Sequence, residues 1–234
     1  MKYLKLGLIS LLTFGLSAYA GDVQEQVSEK SEKISGKAEK EAKQISSAIK
    51  GELNRENVEQ HISEWSEPSK KAADFMINKY GLPTGVSDST LVWEDSKPFK
   101  RSIVYKEAIT HNFPMEHKDV LEQVVDYKAP RAEQAAKVWE YDGSVFLKRT
   151  PGEMSAMCDA EAANFLALNL ANEIINGERS VEEARTEYAQ QIVLFKNDKP
   201  TDYTQKLKFD VAAQAGDPDE SIMDRIDQQK VLAE

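Results

Sequence analysis

Cysteine is almost absent from this chain: Cys158 stands alone among 234 residues. One thiol excludes an internal disulfide, so the fold has to be held by its core. Histidine is scarce too, with only His61, His111 and His117. Basic residues are in deficit, 30 against 40 acidic ones, for a net charge of −10. That deficit argues against a nucleic-acid partner, whose affinity rests on basic patches. It also disfavours docking on anionic lipid. No glycine-rich phosphate loop follows a strand, and the helical HExxH metal spacing is missing. No Asn-x-Ser/Thr sequon occurs. Beyond residue 20, no apolar run approaches the roughly 20 residues that span a bilayer, so no transmembrane segment is expected in the mature chain.

The first twenty residues read as an export signal. Lys2 and Lys5 precede an apolar run from Leu6 to Leu16, and Ala18-Tyr19-Ala20 gives the small-x-small pattern of a cleavage site. The expected product begins at Gly21 and is periplasmic or extracellular. Losing Lys2 and Lys5 leaves 28 basic against 40 acidic residues, a net −12. Residues 21–61 form a charged tract of low complexity, with sparse apolar positions at Val23, Val27, Ile34, Ile45 and Ile49. Pairs such as Glu29 with Lys33 favour helix. The tract reads as a solvated, partly helical tether, or as a partner-dependent coiled coil or an amphipathic surface helix.

Residues 62–195 read as one α+β domain of short antiparallel strands with a C-terminal helical hairpin. The richest stretch is Glu153 to Phe195. It gives a strand, a turn at Cys158, and two helices joined by Asn176-Gly177-Glu178-Arg179. The first of these helices is apolar almost all round, which marks a central one. Ser180 and Glu183 form a capping box for the second. Upstream, Glu67-Pro68 opens a helix that Gly81 and Pro83 end. Thr90–Trp93 and Ser102–Ile109 read as strands. Thr110 to Lys118 reads as a loop, and Leu121 to Tyr127 as a strand with one wet face. Pro130 starts a helix with Ala132, Ala135, Ala136 and Trp139 facing inward. Thr150-Pro151-Gly152-Glu153 is a type II turn inside a hairpin. Residues 196–234 read as an acidic, loosely ordered tail. In it, Tyr203, Leu207, Phe209 and Val211 alternate as in an edge strand, and Asp217-Pro218-Asp219 could cap a short helix.

Several segments carry a resemblance. They are Lys100–Tyr105, His111-Asn112-Phe113-Pro114, Asp119–Gln123, Tyr141–Val145, Arg149–Glu153 and Asn164–Ala171. Together they resemble a family of exported bacterial proteins with no known activity. The match covers roughly residues 65 to 192. It implies a bacterial source and carries over no functional residue.

Three sets of residues could do chemistry. Cys158 sits where a strand hands over to a helix, where unpaired N–H groups would favour a thiolate. His111 or His117 could serve it as a base, with Asp159 orienting the imidazole. The competing reading is a buried structural thiol. His111 and His117, with Glu116 and Asp119 beside them, could bind zinc, but a six-residue step in a loop does not fix both rings on one face. No metal and no cofactor are therefore assigned. His61 receives no role. Lys100, Arg101, Tyr105, Asn112 and Phe113 could line a groove for a peptide, a glycan or an envelope protein. The reading these features favour is a non-enzymatic exported binding module. The alternatives are a thiol- or metal-dependent hydrolase built on Cys158, and an envelope protein acting through its N-terminal helix.

Overall fold

A computed structural model of the chain describes residues 54–211 and 217–226. The expected leader and nearly all of the tether lie outside the described residues. From Arg55 onward the chain forms one unit. Six antiparallel strands make a single sheet: β1 (Gly85–Val86), β2 (Thr90–Glu94), β3 (Arg101–His111), β4 (His117–Asp126), β5 (Val145–Lys148) and β6 (Glu153–Cys158). Their spatial order is β1-β2-β3-β4-β6-β5. The helices are α1 (Arg55–His61), α2 (Glu67–Tyr80), α3 (Ala132–Tyr141), α4 (Glu161–Asn176), α5 (Val181–Lys196) and α6 (Asp202–Gln205). The fold is α+β, with the helical hairpin α4–α5 near its C-terminal end.

Side chains alternate across a strand, so register decides which face each residue serves. Leu91, Val104, Leu121 and Cys158 are successive ladder partners, as are Val125 and Met154. All are buried, on the face against which α2 and α4 pack. Helix α4 is the centre of the core. Phe165, Leu166, Ala167, Leu168, Leu170, Ala171 and Ile174 are all buried around it. Two of its asparagines, Asn164 and Asn169, are buried as well, and each has a task. Asn164 Nδ2 donates to Leu121 O at 2.9 Å and to Gln123 Oε1 at 3.1 Å. Asn169 Nδ2 donates to Tyr203 O and Lys206 O, and its Oδ1 accepts from Lys208 N at 2.7 Å. Gly177 ends the helix at φ 73°, in the left-handed region that glycine adopts without a Cβ clash. The expected capping box of α5 is present, with Ser180 N donating to Glu183 Oε2 at 2.8 Å and Glu183 N to Ser180 Oγ at 3.2 Å.

The structure differs from the sequence reading in five places. Regular structure is already present over Arg55–His61, ahead of Ile62, because Val58, Ile62 and Trp65 bury one stripe continuous into α2. In α3 the inward residues are Val138 and Tyr141, and Trp139 is 80% exposed. Tyr141 fills more core volume than the alanines, so the helix turns it inward. β4 is buried on both faces. Its Glu122, expected to be wet, accepts hydrogen bonds from Tyr105 Oη at 2.6 Å and Ser155 Oγ at 2.7 Å. Thr110 to Lys118 is a hairpin, with strand pairing up to His111 and from His117. The expected edge strand over Tyr203–Val211 gives way to α6 and an extended segment, because Asn169 takes backbone groups there that a strand would need. Tyr203, Leu207, Phe209 and Val211 still pack on the core. Among the described residues beyond Pro218, the one helical element is a 3₁₀ turn, Met223–Arg225.

Leu166 is fully buried on α4. Leu166→Ala should therefore destabilise the protein by about 2–5 kcal/mol in a urea titration, the range for a buried leucine truncation. A loss under about 0.5 kcal/mol, the size of an ordinary surface substitution, would contradict the central placement of this helix.

Candidate metal centre

The end of the β3–β4 hairpin assembles the residues that a loop would have scattered. His111 and His117 are cross-strand partners, and Ile109 pairs with Asp119. Cross-strand partners share a face, and so do residues two apart. His111, His117 and Asp119 therefore project together, on the same face as Leu121 and Cys158. A bulge between Val104 and Ile109 adds residues to β3 alone, which leaves His111 on this face. The expectation that the six-residue step leaves the two rings unrelated is thus overturned. Pro114 lies in the tip, outside the pairing it would have blocked.

One donor atom from each of His111, His117 and Asp119 lies within 4.8 Å of the other two. His117 Nδ1 is 2.9 Å from Met115 O, a carbonyl that can only accept, so Nδ1 carries the proton of that bond. Its Nε2 faces Asp119 Oδ1 at 3.0 Å. The two atoms are not aligned as a hydrogen bond, and both are buried without a hydrogen-bond partner. Asp119 Oδ2 accepts from Ser144 Oγ and stands 3.4 Å from His111 Nδ1. Ser144 Oγ is 3.3 Å from the same nitrogen. On the far side of the ring, His111 Nε2 is 3.7 Å from Asp142 Oδ1, which also accepts from Ser144 N at 2.8 Å. Asp142 and Ser144 come from the turn before β5, a stretch legible in the sequence only as Asp142-Gly143.

The charges follow from this packing. The Asp119 carboxylate, and after it Cys158, push His117 up to about 11, against the opposing effect of burial. Burial raises the Asp142 carboxyl above the usual carboxylate range. It also pushes the Cys158 thiol up, with His117 partly offsetting it. Cys158 is 5% exposed. It shares a cleft of about 50 Å³ with Met115, His117, Tyr188, Ile192 and Lys196.

The other sequence candidates are spread apart. Lys100, Arg101 and Tyr105 are engaged on the opposite sheet face. Arg101 grips Glu153 with two hydrogen bonds, at 3.0 and 2.7 Å, and Lys100 pairs with Asp126 at 2.8 Å and Glu153 at 3.0 Å. Phe113 packs inward against Tyr141 and Tyr188, with the Arg185 guanidinium 3.9 Å over its ring. Asn112 is exposed at the hairpin tip. These five do not line one groove. His61 Nε2, on α1, lies 2.9 Å from Ser87 O and is not among the three clustered residues. Asp159, expected to orient an imidazole, accepts instead from Cys158 Sγ at 3.6 Å.

Two of the donor atoms thus lack the partners that buried polar atoms almost always have. Two imidazoles and a carboxylate are a donor set for a borderline divalent ion such as zinc. A ligating histidine typically gives its second nitrogen to a carbonyl or carboxylate, as His117 does with Met115 and as Asp142 is placed to serve for His111. In comparisons with known proteins, the chain matches no family model, no curated protein and no solved structure.

Two outcomes follow from these surroundings. Thiol reagents at neutral pH should label Cys158 far more slowly in the native protein than in denaturant; equal rates would contradict its burial. Arg101 first, and Lys100 after it, hold Glu153 down to about 2 from an ordinary 4.5. A depressed carboxyl stabilises the fold fully above its ordinary value and loses that contribution as pH falls towards its folded value. Urea midpoints should therefore fall between pH 4.5 and 2, and Glu153→Gln should flatten that slope.

Proposed function

We propose that this chain is an exported bacterial binding module whose ligand is a divalent transition-metal ion, zinc first, held by His111, His117 and Asp119. The observation that carries this reading is the convergence of donor atoms from His111, His117 and Asp119 within 4.8 Å, with His117 Nε2 and Asp119 Oδ1 buried 3.0 Å apart and neither in an aligned hydrogen bond. The small-x-small site at Ala18-Tyr19-Ala20 supports export. Zinc would be held through neutral imidazole nitrogen and carboxylate oxygen, and Ser144 and Asp142 would orient those donors.

Binding fits the surroundings better than turnover. The cleft beside the cluster, about 50 Å³, has room for an ion and its water but not for a substrate. The larger clefts, of about 660 and 470 Å³, include none of His111, His117, Asp119 or Cys158. A thiol hydrolase would need an accessible, readily ionised nucleophile, and Cys158 is buried with its thiol pushed up.

Calorimetry and dialysis with metal analysis test the reading. The full chain should take up one zinc ion, and free zinc at 100 times Kd should stabilise the fold by about 2.7 kcal/mol. Ser144→Ala should weaken binding by about 10–100-fold, as loss of a ligand-orienting group does. His117→Ala and Asp119→Asn should weaken it further, and Lys100→Ala should leave it unchanged. Zinc uptake untouched by His117→Ala would sink the proposal.

A further inference from the structure

We propose that Cys158 is the fourth ligand of this centre, its thiolate closing the coordination of a thiophilic divalent ion; this rests on the metal reading above. The sheet puts the thiol in place. Cys158 ends β6 and pairs with Leu121 on β4, one same-face step from Asp119. His111, His117, Asp119 and Cys158 thus follow one another across one face. Cys158 and His117 also line the same small cleft. Asp119, only 2% exposed, leaves Oδ1 without a hydrogen-bond partner, 3.0 Å from His117 Nε2. The thiol itself makes a long contact, donating to Asp159 Oδ1 at 3.6 Å. That is a weak bond to give up, and the sulfur, outside the 4.8 Å set of His111, His117 and Asp119, would turn towards them on ligation.

Charge favours the same assignment. Two imidazoles and the Asp119 carboxylate leave a divalent ion with one positive charge among Phe113, Tyr141 and Tyr188. A thiolate from Cys158 would offset that charge at the ion itself, beside the more distant carboxyls of Asp142 and Asp159 and the Lys196 ammonium. The step is a simple exchange: the metal–sulfur bond forms, the S–H bond breaks, and the proton leaves to solvent. No electron moves. A closed four-donor site with sulfur favours zinc, cobalt or cadmium over magnesium, calcium or manganese. It also leaves no coordination position for a reacting water, which points to sequestration of the ion.

Cobalt(II) makes the assignment visible. Titrating the full chain with cobalt under anaerobic conditions should give a thiolate-to-cobalt charge-transfer band in the near ultraviolet, with the strong visible bands of a tetrahedral ion. Cys158→Ser should bind cobalt at least tenfold more weakly and lose the ultraviolet band; Cys158→Ala serves the same purpose if serine perturbs the core. Cobalt binding that His117→Ala abolishes, but without the charge-transfer band in the unmodified chain, would overturn the role of Cys158 and leave the three-ligand centre standing. No cobalt or zinc binding at all would overturn both.

Discussion

The pairing of β3 with β4 is the constraint on which most of this structure depends. It is the longest ladder of the sheet, and β4 is buried on both sides. Its register sends Val104 and Leu121 to the helices and Ile103 and Glu122 to the other face. A slip of one residue would exchange the two sets. The same register brings His111 level with His117. Core and candidate metal centre are therefore specified by one set of backbone hydrogen bonds, and the bulge between Val104 and Ile109 lets both be satisfied in a single strand.

The two faces of the sheet settle their polar groups differently. Towards the helices, Gln123 Nε2 donates to Glu161 Oε2 at 2.8 Å, and Glu161 also accepts from Tyr80 Oη at 2.7 Å and from Lys79. Every member of that set has a partner, which is what low-dielectric surroundings demand. The opposite face closes Arg101, Lys100, Glu153 and Asp126 into a charge network. At the hairpin end a histidine nitrogen and a carboxylate oxygen face each other at 3.0 Å without an aligned hydrogen bond, as Asn164 Oδ1, Tyr141 Oη and Gln134 Oε1 also lack one elsewhere. Departures from local satisfaction of this kind concentrate where a protein does something other than fold.

Much of the fold was legible in the sequence. The apolar circumference of α4, the Ser180/Glu183 box, the Pro151-Gly152 turn and the strands around Val92 and Val104 each carry a local signal, and each element is present. The orientation of α3 was not, because three alanines and a tryptophan describe an apolar face as well as Val138 and Tyr141 do; only the volume to be filled separates them. The centre was half legible. His111, His117, Asp119 and Cys158 could be singled out by residue type, but Pro114 disguised the hairpin tip as a loop. Asp142 and Ser144 join through a contact between distant strands, which no local pattern records. Reading 110–118 as a hairpin would have paired the histidines at once.

Asn169 has a consequence for where this domain ends. Hydrophobic periodicity stops near Phe195, and a boundary drawn there looks clean. Yet the buried amide of Asn169 is satisfied by Tyr203, Lys206 and Lys208, and by nothing on α4 itself. A chain cut after Lys196 would keep every residue of the central helix and still leave an amide group stranded in the interior. The minimal folding unit is thus defined by hydrogen-bond completeness and extends at least to Lys208. An asparagine in mid-helix can mark a domain limit some forty residues further along the chain.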